Sequence, residues 1–198
     1  MTKTIAFTLI LAAAPMMVAA QDGPTFDCAK AESSAEKLIC NDPDLAALDR
    51  RLAERFAAAV AVAEGLDVGA EETTKNLRAM QRGWISGRDE CWKAPDLRPC
   101  VETQYLRREA DLVAEFMLEP ASDRIPLTCG PRAVTVNRFA TPLPAVRVEE
   151  GDRVYPGALA EADTPGTYYL RGAGMLVMDH DEISIGDPYG EAQTCTVR

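Results

Sequence analysis

Leu118-Glu119-Pro120-Ala121-Ser122-Asp123-Arg124-Ile125-Pro126-Leu127 separates two halves of the chain with different hydrophobic periods. Two prolines in a mostly polar run stop a helix and disfavour a central strand. Residues 118–127 therefore read as a linker between a first unit, 21–117, and a second, 128–198.

On the N-terminal side of that stretch the pattern is helical. Ser33 with Glu36 three residues on resembles a capping box and predicts a short helix ending near Cys40. Asp42 then supplies an N-cap and Pro43 a favoured first helical residue, after which Leu45, Leu48, Leu52, Phe56 and Val60 recur every three or four residues as far as Gly65. A third helix is expected from about Glu71 to Trp92, with Leu77, Met80, Trp84 and Cys91 near one face. Beyond a turn at Pro95 to Pro99, a fourth is expected from about Cys100 to Met117, repeating Val101, Tyr105, Leu112 and Phe116. Such stripes bury against one another in a small bundle.

On the C-terminal side the period changes to alternation. Val134 and Val136, Val146 and Val148, Tyr168 to Leu170, Met175 to Met178, and Ile183 and Ile185 are separated by turns at Gly130-Pro131, Gly151-Asp152, Pro165-Gly166 and Gly172 to Gly174. The expected fold class is α+β in two domains: a small disulfide-linked all-α helical bundle, then a small antiparallel β-barrel or sheet.

The first residues read as a secretory leader. Lys3 precedes an apolar run from Ile5 to Ala14, and Val18-Ala19-Ala20 precedes Gln21, so residues 1–20 are expected to be a signal peptide cleaved near Ala20/Gln21. Pro15 interrupts a run already too short to span a bilayer. No cysteine follows the cleavage site closely, the nearest being Cys28, so the expectation is a soluble periplasmic or secreted protein with no transmembrane segment.

All six cysteines, Cys28, Cys40, Cys91, Cys100, Cys129 and Cys195, lie in the exported part. An even number in an oxidising compartment reads as a disulfide framework. The spacings contain no CxxC pair, which argues against metal or redox chemistry. Cys129 and Cys195 bracket the second unit and are expected to pair, while Cys28, Cys40, Cys91 and Cys100 allow three pairings.

Twenty-one basic against thirty-one acidic residues give a formal charge of −10, one unit more negative without Lys3. Phosphate binding needs a basic surface, so nucleic acid is disfavoured as a partner. An acidic exported protein is steered instead toward basic proteins, though such charge also simply confers solubility. Nothing in the chain calls for catalysis or a cofactor: His180 is the single histidine, with no GxSxG, Gly-rich phosphate loop or HExxH. Asp179-His180-Asp181-Glu182 lies between two strand-like runs and reads as a hairpin turn rather than a metal site. Trp84 reads as a core residue on a helix carrying surface ion pairs, and the spacing of Tyr105 and Arg108 is equally compatible with the core and with a contact surface.

Phe26-Asp27-Cys28-Ala29-Lys30-Ala31, Glu36-Lys37-Leu38-Ile39-Cys40, Asp44 to Asp49, Gln81-Arg82-Gly83-Trp84, Arg88-Asp89-Glu90-Cys91, and Cys100 to Tyr105 with Arg108 resemble, in order and spacing, the lysozyme inhibitor LprI N-terminal domain family. The resemblance covers about 26–116, makes Trp84, Arg88, Asp89, Tyr105 and Arg108 motif residues, and implies an exported, disulfide-linked helical domain.

The second unit is similar, more weakly, to the membrane-bound lysozyme inhibitor of c-type lysozyme family. Leu127-Thr128-Cys129 and Gln193-Thr194-Cys195 look like its framing segments, and Pro165-Gly166-Thr167-Tyr168-Tyr169 lies near its inhibitory loop. In this chain Pro165 stands in place of that loop's serine, and Asp179-His180-Asp181 lacks the later lysine, with Thr164, Thr167 or Arg171 as the nearest replacements. These resemblances imply a non-enzymatic protein that occludes a lysozyme or related muralytic enzyme through Thr164, Pro165, Gly166, Thr167, Tyr168, Tyr169 and Arg171. The alternative is a structural or scaffold module for another envelope component, with no effect on lysozymes.

Overall fold

A computed structural model describes residues 23–161, 164–179, 182–186 and 191–198. The expected signal peptide, His180 and Asp181 lie outside the described residues.

Side-chain caps set where the helices begin. The Ser33 hydroxyl accepts from the Glu36 N–H and the Glu36 carboxylate from the Ser33 N–H, opening α1 (Ser34–Asn41) with a full capping box. Asp42 accepts from the N–H groups of Asp44 and Leu45 and, with Pro43 in the first turn, starts α2 (Pro43–Glu64). After α3 (Ala70–Asp89) a 3-10 turn, Glu90–Lys93, leads to α4 (Leu97–Phe116). The third helix thus loses α geometry three residues before the expected Trp92, and the fourth begins three residues before Cys100. Asp96 caps α4 by accepting from the Arg98 N–H, and Pro99 sits in the first turn, where no backbone donor is owed.

The helices close on Ile39, Leu45, Leu52, Leu77, Val101, Tyr105 and Leu112. Arg51 and Arg55 of α2 both reach the buried carboxylate of Glu109 on α4, at 2.7 and 3.5 Å. Cys28–Cys40 fastens the N-terminal segment to α1 and Cys91–Cys100 spans the turn before α4, which resolves the three open pairings in favour of sequence neighbours.

Eight antiparallel strands follow in sequence order as a closed barrel: β1 (Asp123–Cys129), β2 (Arg132–Phe139), β3 (Ala145–Glu150), β4 (Arg153–Leu159), β5 (Thr167–Leu170), β6 (Gly174–Met178), β7 (Ile183–Gly186) and β8 (Gln193–Val197). Alternate residues, among them Leu127, Val134, Val136, Val146, Val148, Tyr168, Leu170 and Leu176, fill the interior. Cys129 and Cys195 face each other across the β1–β8 seam and are bonded as expected, so the disulfide closes the barrel.

Residues 123–127, with Pro126, belong to β1 even though 118–127 reads as a linker. Pro126 aligns with Thr135 on β2, while its carbonyl accepts from the N–H of Arg198, just past β8. Backbone N and C=O of one residue point to the same side in an antiparallel ladder. The missing donor therefore falls at the frayed end of the seam rather than against β2. The same logic admits Pro156 to β4, where its carbonyl accepts from Arg171 beyond the end of β5. A Cβ on its neighbour Gly157 would lie 2.5 Å from the Tyr169 carbonyl oxygen, so the close approach of β5 requires glycine there.

One helix serves two cores. Val101, Tyr105 and Leu112 of α4 face the helical bundle, while Ala110, Val113 and Ala114 pack on Phe139, Ala145 and Ala158 on the outside of β2, β3 and β4. Arg147 of β3 donates to the carbonyls of Ala114 and Glu115 near the C-terminal end of α4, and Arg107 donates to the Ala160 carbonyl. Arg55 of α2 holds Glu119 at 2.9 Å. The helical unit and the barrel are therefore packed together through α4, with carbonyls that a helix end leaves unpaired satisfied by the barrel.

Candidate functional site

The helical motif residues converge on one buried cluster. The Tyr105 hydroxyl donates to Asp49 Oδ1 at 2.8 Å and accepts from Arg88 Nη1 at 2.9 Å. Asp49 Oδ2 accepts from the backbone N–H and hydroxyl of Thr25 at 2.7 and 2.6 Å, and the Arg88 fork is completed by Asp89. The Arg88 guanidinium lies 5.6 to 6.0 Å from the ring centres of Phe26, Trp84 and Tyr105. Trp84 packs edge-on to Tyr105 and donates its indole N–H to the Gln104 carbonyl. Arg108 donates to Gln81 on α3.

Burial works against the charge on Arg88, but Tyr105 and Asp89 outweigh it and leave its pKa above the ordinary value. Burial pushes the Tyr105 phenol far up, the more so because Asp49 is its acceptor, although Arg88 opposes the shift. Burial holds Arg108 below its ordinary value. The arrangement is a closed clamp joining the N-terminal segment, α2, α3 and α4. Asp49, Arg88 and Asp89 are paired within it, so it fixes the helices; Arg108 bonds only to Gln81 and keeps a buried Nη2 without a hydrogen-bond partner among the described residues.

The barrel candidates separate into three environments. Thr164 and Pro165 are exposed at the β4–β5 connection, where the Thr167 N–H donates to the Thr164 carbonyl and Gly166 has φ +88°. Pro-Gly at the two central positions with that φ is a type II turn, so Pro165 is the residue that shapes the loop. A Cβ on Gly166 would collide with the Met178 carbonyl, and Gly166 in turn accepts from the Met178 N–H at 2.8 Å. Tyr168 points into the barrel and is buried, whereas Tyr169, on the opposite face of the strand, is 48% exposed.

Arg171 belongs to the seam between the two units. It contacts Glu115 at 2.5 Å and Asp111 at 4.0 Å, both on α4. Asp111 is pushed above its ordinary pKa by burial, against the opposing pull of Arg171 and Arg108. Sequence reasoning missed this seam. Its signal was the second stripe of α4, Ala110, Val113 and Ala114 at helical spacing beside the periodic Leu112 and Phe116.

Asp179 N–H donates to the Glu182 carbonyl at 2.9 Å and Met178 pairs with Ile183, but His180 and Asp181 between them lie outside the described residues. Among the described residues no group of histidine, cysteine and carboxylate side chains has the makings of a metal site, and no helix is long and apolar enough to cross a membrane.

The profile of the family described as lysozyme inhibitor LprI matches residues 28–125, which spans all four helices and stops inside β1. Curated relatives called Lipoprotein LprI, from Mycobacterium tuberculosis and Mycobacterium bovis, are each 30% identical over 180 residues, covering 87% of this chain and 84% of theirs. The likeness to them thus extends well into the barrel. No solved structure matches. Lipoprotein relatives and three disulfides fit a location outside the cytoplasm, at the envelope.

Proposed function

The chain belongs to the lysozyme inhibitor LprI family, and from that membership we propose that it is an exported protein that binds a lysozyme or related muralytic enzyme and occludes it. The observation that carries this reading is a likeness to Lipoprotein LprI running through both units rather than through the helices alone. A formal charge of −10 supports it, because lysozymes are basic and opposite charge accelerates encounter at low salt. The protein acts by occupying its partner, without turnover or cofactor, after export to the periplasm or medium.

On the barrel the contact residues are Thr164, Pro165, Thr167 and Tyr169, with Gly166 holding the turn. Tyr168 and Arg171 support them from inside the barrel and from the seam. That three of the seven candidates, Gly166, Tyr168 and Arg171, are spent on the fold is the observation favouring the second reading, a scaffold module whose ligand is another envelope component.

Titration calorimetry of the chain from Gln21 to Arg198 against c-type, g-type and i-type lysozymes, at low and physiological salt, tests the proposal. Saturable one-to-one binding that weakens with salt is the expected result. Heats no larger than dilution for all three classes, with a different envelope protein retained reproducibly from periplasmic extract, would transfer the assignment to the scaffold reading.

A further inference from the structure

The helical unit exposes an apolar tip that its own core does not use. Gly65 closes α2, donating its N–H to the carbonyls of Ala61 and Val62, and Gly69 opens α3 with φ +77° and no side-chain cap. Between the glycines, Leu66-Asp67-Val68 is held out from the hairpin. Val68 is 89% exposed, and Leu66 and Val62 are 42% exposed each, whereas Val60 and Ala63 beside them pack into the bundle. A side chain as apolar as valine, almost wholly in water at a hairpin tip, stabilises nothing in the isolated fold.

Charge defines the rim. From Val62 to Glu72 the chain carries Glu64, Asp67, Glu71 and Glu72 and no cation. Glu64 pairs with Arg78 at 2.9 Å, while Asp67, Glu71 and Glu72 make no ion pair among the described residues. An aliphatic centre with Asp67, Glu71 and Glu72 in the same short segment has the layout of an interface core with a polar rim. Lys75 and Arg78 stand beside Glu64 and Glu71 on the α3 side, but the tip itself carries only acidic charge, whose sign favours a basic partner. Trp92, also exposed, is a weaker candidate because Lys93 covers its ring at 5.2 Å and pairs with Glu90.

We propose that the α2–α3 tip, with Val62, Leu66 and Val68 at its centre and Asp67, Glu71 and Glu72 around it, is a docking surface for the basic lysozyme-type partner. This rests on the binding function proposed above and adds a second contact, separate from the barrel loop. It lies within 28–125, the part of the chain that the family profile covers, whereas the barrel loop lies outside. The two contacts sit on units that are packed together through α4, with no flexible joint between them.

The test compares the wild-type chain, Val68→Asp, Leu66→Ser with Val68→Ser, and Asp67→Lys with Glu71→Lys, each titrated against the lysozyme class that the wild type binds. Thermal unfolding of all four is expected to coincide, since these side chains are exposed. Val68→Asp and the double serine variant are expected to bind about 30-fold or more weakly, the loss produced by removing a central apolar contact. The double lysine variant is expected to associate more slowly at low salt and to lose much of its salt dependence. Wild-type binding with unchanged affinity in the folded Val68→Asp and double serine variants overturns the tip and leaves the binding function standing. A wild type that binds no lysozyme overturns both.

Discussion

Replacing Tyr105 by Phe removes one oxygen from the centre of the helical clamp while keeping the ring that packs on Trp84. The hydroxyl serves two charged partners, Asp49 Oδ1 at 2.8 Å and Arg88 Nη1 at 2.9 Å, in a position where Tyr105 is 1% exposed. Buried hydrogen bonds to charged groups contribute roughly 1.5 to 3 kcal/mol each, and their loss leaves both charges short of a partner. Asp49 keeps two donors from Thr25, and Arg88 keeps Asp89, so the pair is only partly stranded. The expected cost is about 3 kcal/mol, which for a chain of this size lowers Tm by roughly 6 to 12 °C. Urea unfolding followed by far-UV circular dichroism reads it, on oxidised protein. A double-mutant cycle with Asp49→Asn is expected to return a coupling of about 1 to 2 kcal/mol. A Tyr105→Phe protein within about 0.5 kcal/mol of wild type, with no coupling to Asp49, would refute the clamp as the reason for this motif.

Acid is expected to weaken the protein partly through its helix caps. Backbone N–H groups of Ser33 and Glu32 hold Glu36 below its ordinary 4.5, and the N–H of Leu45, with Arg98, holds Asp42 below 3.8. Carboxylates with lowered folded pKa values contribute stability above their unfolded values and lose it as the pH falls through the folded ones. Glu36→Gln with Asp42→Asn, which keeps both caps but not their charges, is therefore expected to flatten the fall in urea midpoint between about pH 6 and pH 3. Gly166→Ala, forced to φ +88° against the Met178 carbonyl, is expected to cost about 2 kcal/mol or more and to shift the amide resonances of Thr164 to Tyr169, read by heteronuclear NMR. Replacing Cys129 and Cys195 by Ser opens a loop spanning 66 residues and is expected to cost about 4 kcal/mol on the chain-entropy account, with the barrel's amide protection lost before that of the helices.

The sequence exposes most clearly those features that local chemistry decides. The caps at Ser33 and Asp42 place two helix starts to the residue, and the Cys129–Cys195 bridge and the antiparallel barrel follow from alternation and bracketing. Two of the misread boundaries involve proline. Pro99 lies inside a first helical turn and Pro126 in a strand, because in each case the missing N–H falls where no partner is owed. That condition depends on which strand lies alongside and is absent from local pattern. The same limit explains Arg171 and Tyr168: β5 puts Tyr168 in the core and Tyr169 at the surface, and Arg171, just past its end, lies against α4. The double duty of α4 stayed hidden because alanines Ala110 and Ala114 make a weak stripe until the barrel packs on them.

The most direct test of the central claim is the lytic rate of c-type, g-type and i-type lysozymes on purified cell walls, with increasing amounts of the chain from Gln21 to Arg198. Lysis by at least one class is predicted to fall linearly to near zero at one equivalent and to recover as salt is raised. Undiminished lysis by all three classes at a tenfold excess of folded, fully oxidised protein would contradict the assignment.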